Sequence, residues 1–454
     1  MKRALAMVLL AGCYSMAPAY ERPASPVAKQ VLEGGQGETK QLAVGEFVKE
    51  PKLKKIMGLV LANNRSLRQS ALNIEAARQQ YRIQRAAMYP SIDLAAAVTS
   101  TRSLTGVDNN TVTFTQYGVN VGLSNWEIDL FGRLKSLSDV KLQQFLASVE
   151  TAKATRISLV AETASAYITL AADRSRLQIA QETMDAAKKS MDLTEALVGG
   201  GTSNRSDYWQ AATVFQQARG DLATLRATIK QDKNALELLA GAPLGDDLIP
   251  DPLPDAADWF SDVPVGMSSD VLLNRPDVLA AEHDLMAANA NIGAARAQFF
   301  PSLTLTASGG LASIALATLF TGPAAVFTLA PSLAMPLFRG GANRANLAYS
   351  KVEKEAMIAA YEYAIQSAFK EVADALATKA TIQEQLDAQV ALVDASQKAF
   401  DLSNARYKAG VDTFLATLVT ERALYSAKSS LVSTQLAALG NRIALYRSLG
   451  GGLN

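Results

Sequence analysis

Residues 89–98 read Tyr89-Pro90-Ser91-Ile92-Asp93-Leu94-Ala95-Ala96-Ala97-Val98, and the same kind of stretch returns at Phe300-Pro301-Ser302-Leu303. Each proline ends a helix-forming run, because it removes a ladder hydrogen bond and clashes with the preceding turn. Beyond Pro90, Ile92, Leu94, Ala96 and Val98 alternate with polar or small residues. Tyr117, Val119, Val121 and Leu123 alternate again past a polar turn at Thr105 to Asn110. A period of two predicts two strands of a hairpin. Leu303, Leu305 and Ala307 start a strand after Pro301 in the same way.

Working outward, Leu130-Phe131-Gly132-Arg133 returns as Leu337-Phe338-Arg339-Gly340, and Ala240-Gly241 returns as Gly450-Gly451. The three correspondences keep nearly the same spacing, so the chain is written twice, in two copies of about 180 residues. The expected division is 1–12 signal peptide, 13–60 N-terminal segment, 61–242 first repeat, 243–272 connector and 273–454 second repeat. Pro243, Pro250, Pro252, Pro254 and Pro264 mark the connector.

Each copy runs helix, two strands, very long helix, glycine turn, long helix. From Arg133 to Val198 there is no proline, and Leu177, Ala180, Met184, Ala187, Met191, Thr194 and Val198 recur at alternating three and four. Such a heptad seam packs as a coiled coil. Gly199, Gly200 and Gly201 break the helix, and Ser206 to Leu239 runs back. In the second copy, Leu386, Val390, Val393, Gln397, Phe400, Asn404 and Tyr407 share a stripe up to Gly410, and Leu415, Leu418, Arg422, Tyr425, Ser429, Val432, Leu436 and Leu439 share one on the return. Each long helix has roughly 65 residues and reaches about 100 Å at about 1.5 Å per residue.

Composition removes several classes of function. The 454 residues carry 44 Lys+Arg against 43 Asp+Glu, so a net charge of +1 gives no global attraction to nucleic acid. One cysteine excludes internal disulfides and Cys-rich zinc sites, and a single histidine, His283, excludes a His-based metal site. No Walker loop or GxSxG elbow occurs, so no enzyme, cofactor or metal is expected.

The N-terminus carries a secretory signal: Lys2 and Arg3, then apolar Ala4 to Leu10, then Leu10-Ala11-Gly12-Cys13. Its end resembles a bacterial lipobox, with Cys13 as the acylated residue. Tyr14, in place of the aspartate that often retains such lipoproteins at the inner membrane, implies the outer membrane.

Ala297 to Phe338 contains no charged residue, yet Gly309-Gly310, Gly322-Pro323, Pro331 and Pro336 interrupt it. Leu329, Leu333, Met335 and Leu337 alternate with smaller or polar residues, so two strands and an apolar loop are expected rather than a membrane helix. Strand edges cannot stay unpaired in lipid, and the smallest bacterial barrels use eight strands. Four strands per chain must therefore be shared between subunits. A dimer would give a filled eight-stranded barrel, whereas a trimer gives twelve strands and room for passage.

The lipobox, the segment Ala17-Pro18-Ala19-Tyr20-Glu21-Arg22-Pro23, the paired Tyr/Phe-Pro-Ser turns, Pro336-Leu337-Phe338-Arg339-Gly340-Gly341, Arg406-Tyr407-Lys408-Ala409-Gly410 and the closing Leu449-Gly450-Gly451 occur in order. Together they resemble the TolC-like outer-membrane efflux family, lipoprotein branch, over essentially the whole mature chain. The resemblance implies a mainly α protein with four β-strands: a long helical coiled-coil barrel joined to a trimeric twelve-stranded outer-membrane β-barrel. It also implies docking on a periplasmic adaptor and an inner-membrane pump of RND type, to expel drugs or other small molecules.

Under this reading the tips, Gly199, Gly200, Gly201 and Thr202 in one copy and Tyr407, Gly410 and Asp412 in the other, meet the adaptor. Leu415, Leu418 and Arg422, just past the second tip, form the gate. Family members often read Leu-Asp-Ala-Gln-Arg here, whereas this chain reads Leu418-Val419-Thr420-Glu421-Arg422. An Asp-Arg latch therefore lacks its aspartate. An exit duct for peptides or proteins shares the same sequence features. A periplasmic adaptor would have one helical hairpin, and a coiled-coil scaffold would lack the alternating segments.

Overall fold

The computed structural model describes residues 15–27, 42–105, 110–201, 204–254, 257–263 and 269–452. The signal peptide, Cys13, Thr202 and most of the turn between Thr105 and Asn110 lie outside them. A single helical turn, Val44–Phe47, precedes helix α1 (Pro51–Asn63). In α1 the buried Leu53, Ile56, Met57 and Val60 recur at helical spacing, Pro51 opens the helix, and Glu50 accepts a hydrogen bond from Lys52 N. The sequence analysis had no helix here. Asn64 caps α2 (Arg65–Ala86) by accepting from Ser66 N and Leu67 N. Then follow β1 (Asp93–Thr105), β2 (Asn110–Ile128), α3 (Arg133–Gly199) and α4 (Arg205–Ala240). The second copy repeats the order with α5 (Pro276–Ala297), β3 (Ser302–Ser313), β4 (Ala325–Ala334), α6 (Ala342–Lys408) and α7 (Phe414–Ser448).

The chain divides into two compact units. The first comprises residues 1–24, 73–149 and 280–362 and holds the sheet. Its strands form an antiparallel meander in the order β1-β2-β3-β4. Val98 pairs with Tyr117, Gly118 with Ala312, and Leu305 with Pro331. A bulge between Leu123 and Trp126 places Asn125 at φ +52°, which asparagine tolerates better than most residues. Asn125 N donates to Thr306 Oγ1 at 3.1 Å, and Trp126 Nε1 donates to Met88 O at 3.3 Å.

The uncharged segment is thus two strands joined by short 3-10 turns at Leu316–Thr318 and Gly322–Ala324. Among the described residues no helix is long and apolar enough to cross a membrane. The expected alternation through Leu337 overshoots, because β4 stops at Ala334, just ahead of Pro336. Pro331 lies in β4 opposite Leu305, in a strand that pairs only with β3 among the described residues.

The second unit comprises residues 25–72, 150–279 and 363–454. Phe47 stacks between Phe260 and Tyr446 at centroid distances of 5.0 and 4.1 Å, and Tyr167 meets Trp259 edge-on. Lys49 N donates to Trp259 O and Ser261 N to Phe47 O, each at 2.8 Å, so residues 257–263 are held by backbone bonds as well as ring contacts. Arg275, buried, donates to Ser448 O, Asp277 and Glu371, fixing the start of α5 to the end of α7 and to α6.

Candidate functional site

Two helical hairpins of the second unit carry the expected tip and gate residues. In the first, α3 ends at Gly199 and Gly201 turns the chain at φ +72°, with Gly201 N donating to Val198 O at 3.1 Å. Asn204 caps α4 by accepting from Ser206 N. Gly199 and Gly200 are exposed. In the second, Gly410 turns at φ +71° while Val411 N donates to Arg406 O and Gly410 N to Tyr407 O, both at 2.9 Å. These are the two bonds of a Schellman turn, whose left-handed residue glycine adopts without Cβ strain.

Arg406 grips Asp412 through Nε to Oδ2 at 2.6 Å and Nη2 to Oδ1 at 3.0 Å. The guanidinium hydrogen bonds hold the Asp412 carboxyl below the usual carboxylate range. Asp412 therefore braces its own turn. The Tyr407 ring is half-buried 5.4 Å from Phe414, and burial pushes its hydroxyl pKa up. Exposed backbone at this tip comes from Lys408 to Val411.

The stripe expected to form the gate is split by packing. Leu415 (52% exposed), Val419 (59%) and Arg422 share one exposed face at i, i+4 and i+7. Leu418 is 3% exposed and packs against Ala187 of α3, Val214 of α4 and Phe215. Leu418 thus points into the protein, away from the face that carries Leu415 and Arg422. A heptad shows which residues share a stripe, and the boundary between its buried and open sides runs through this one.

Tyr425 OH donates to Asp221 Oδ2 at 3.4 Å, tying α7 to α4, and Gln217 Nε2 donates to Asp221 Oδ1 at 2.9 Å. Glu421 is buried at 7% exposure, and burial pushes its carboxyl pKa up. The sequence analysis placed Tyr425 on the stripe without a role and did not single out Glu421 as a site. Across the tip, the buried Ser403 and Thr417 hydroxyls meet at 3.5 Å.

In the first unit, residues 15–22 run as a strap along α5. Ser15 Oγ meets Ser136 Oγ, Arg296 Nη1 donates to Met16 O, and Asn289 Nδ2 donates to Pro18 O. Arg22 forks onto the buried Glu282 at 2.7 and 2.6 Å, and Tyr20 OH donates to the same carboxylate. A Cβ at Gly293 would lie 2.6 Å from Ala17 N, so only glycine lets the strap lie this close. Ser15, Met16 and Ala17 line a groove of about 510 Å³ with Arg296, Phe299 and Phe300, next to the start of β3. His283 is hydrogen-bonded to Gln143 Oε1 at 2.7 Å, a contact between α5 and α3.

Comparison with known proteins follows the same lines. The chain matches the family described as outer membrane efflux protein, over residues 56–242 and 267–451. It is 40% identical over 459 residues to the solvent efflux pump outer membrane protein SrpC of Pseudomonas putida, covering 98% of this chain and 97% of that protein. It is 39% identical over 456 residues to the outer membrane protein OprJ of Pseudomonas aeruginosa, covering 99% and 95%. Among solved structures, the open-state MtrE outer membrane channel of Neisseria gonorrhoeae shares 36% identity at a TM-score of 0.87, covering 97% of this chain and 99% of that one.

Proposed function

The chain belongs to the outer membrane efflux protein family, and from that premise we propose that it is the outer-membrane duct of a tripartite efflux pump, a passive gated conduit. The observation that carries this reading is the four-stranded meander whose edge strands, β1 and β4, have no partner strand among the described residues. Open edges in lipid cost several kcal/mol per unpaired backbone group, so the sheet calls for neighbouring copies. Three copies give twelve strands and a lumen, whereas two give a barrel filled by its own side chains. The homotrimer stands in the outer membrane and reaches into the periplasm.

No catalytic constellation is found in the sequence, so energy comes from partners: a periplasmic adaptor and an inner-membrane pump of RND type. The exposed tip backbone at Gly199, Gly200 and Gly410 meets the adaptor, while Asp412 and Tyr407 keep their turn in shape. Three copies of Leu415, Val419 and Arg422 line the gate, and Leu418 anchors the helix that bears them. An arginine ring repels itself while leucines exclude water, so small movements of α7 are enough to open it. Substrates are drugs and other small molecules, including apolar solvents, the class named for the Pseudomonas putida relative.

Cys13 carries the covalent lipid. Ser15, two residues on, lies beside the start of β3, so acyl chains on Cys13 would enter the bilayer where the sheet does. Several chains at about 0.8 kcal/mol per buried CH₂ anchor the protein stably.

Single-particle imaging of the detergent-extracted protein tests the assembly. Threefold rings in end-on averages are expected. Monomers would overturn the shared barrel.

A further inference from the structure

The groove between α3, α4 and α7 has an unused carboxylate. It has a volume of about 340 Å³ and is lined by Thr183, Thr213, Val214, Gln217, Ala218, Asp221, Glu421, Arg422 and Tyr425. Glu421 is 93% buried, yet its Oε1 has no hydrogen-bond partner. A buried acceptor without a donor costs free energy unless something supplies one. Arg422 also lines the groove and its charge acts on Glu421, but it makes no hydrogen bond to Oε1.

Apart from the Arg422 guanidinium, the side-chain donors of the lining are engaged. Thr183 Oγ1 donates to Ile179 O, and Thr213 Oγ1 to the carbonyls of Trp209 and Gln210. Gln217 and Tyr425 both donate to Asp221. Besides the Arg422 guanidinium, what remains are acceptors: Glu421 Oε1 and the lone pairs of the threonine and tyrosine hydroxyls. Beside them Val214 and Ala218, both buried, give an apolar wall. Ligand clefts of about 300–1,000 Å³ with apolar walls and a few convergent polar groups are the usual form of small-molecule sites.

We propose that this groove is a binding site for a small amphiphilic amine, whose ammonium donates to Glu421 and whose apolar body lies on Val214 and Ala218. The chemistry is specific to this chain's Glu421, because a glutamine there would bring its own donors and no charge. Bound amine would fasten α7 to α4 beside the Tyr425–Asp221 bond. That consequence rests on the gate reading, whereas binding itself does not.

Isothermal titration of the full-length detergent-solubilised protein with 4-phenylbutylamine tests it, with 4-phenylbutanol and spermidine as comparison probes. Saturable amine binding is expected, at least tenfold weaker in Glu421→Gln and weaker for both comparison probes. In the wild type, amine affinity should also fall as the pH is lowered and Glu421 takes up a proton, independently of any variant. Equal binding of the alcohol, unchanged affinity in Glu421→Gln, or no saturable amine binding would overturn the site. Tighter binding of spermidine would overturn the amphiphile assignment.

Discussion

The two helical hairpins have the same written pattern and different fates. In the first, Ala180, Ala187 and Thr194 of the α3 seam are no more than 1% exposed, and Ala211, Val214, Ala218 and Leu222 of α4 are buried with them. In the second, α7 buries Phe414, Leu418, Leu424, Ala427 and Val432, but α6 has no buried residue between 377 and 402, and Val390, Leu392 and Leu402 are about half exposed or more. Helices α3, α4 and α7 each bury part of their apolar stripe within one chain, although Leu415 and Val419 of α7 stay exposed. The stripe of α6 stays open over this stretch, and in the proposed trimer a neighbouring copy would cover it.

A charge placed in each seam separates these roles most sharply. Ala180→Glu buries an unpaired carboxylate and should cost about 3–5 kcal/mol, seen as lost helicity in thermal melts followed by circular dichroism. Val390→Glu should leave protomer helicity within about 0.5 kcal/mol of the wild type and abolish the trimer in light scattering. A stable trimer in Val390→Glu would break the comparison.

At the gate, Leu418→Ala should lower stability by about 2–4 kcal/mol in chemical denaturation, as for other buried leucines. Leu415→Ala should leave stability unchanged and raise entry of large antibiotics into cells. The reverse pattern would move Leu418 into the lumen.

The tips should differ by smaller amounts. Gly410→Ala puts a Cβ in the left-handed region and should cost about 1–2 kcal/mol in a melt. Gly200→Ala should be nearly neutral for stability but weaken adaptor binding in surface plasmon resonance. Unchanged adaptor affinity would remove Gly200 from the docking surface.

The smallest effect concerns a carboxyl pair found in the first hairpin. Burial, and then the neighbouring Asp173, push Asp232 up to about 6. A carboxyl raised in the folded state contributes stability below its unfolded value of about 4, and that contribution is lost as the pH rises through about 6. Wild-type Tm should therefore rise on acidification from pH 7.5 to 5. Asp232→Asn should raise Tm at pH 7.5 and flatten the rise.

Local punctuation was fully legible. Pro90, Pro301, Gly201 and Gly410 fix φ or remove a donor at single positions, so helix ends and turns fall where the residues say. Helix α1 was missed: Pro51 and the spacing of Leu53, Ile56, Met57 and Val60 carry its signals, but residues 13–60 were read only as an N-terminal segment. The Phe47–Phe260–Tyr446 stack joins three distant segments, and no spacing links them.

The sequence alone determined the duplication, the strand and helix periods, and the absence of enzymatic motifs, because periodicity and breakers act through neighbours in the chain. Tertiary structure alone decided which side of each stripe is buried. Leu418 inward, Leu415 outward, Asp412 bound to Arg406, Tyr425 on Asp221 and the open face of α6 all depend on which helices come together. A helical period defines a face, and only packing says what that face meets.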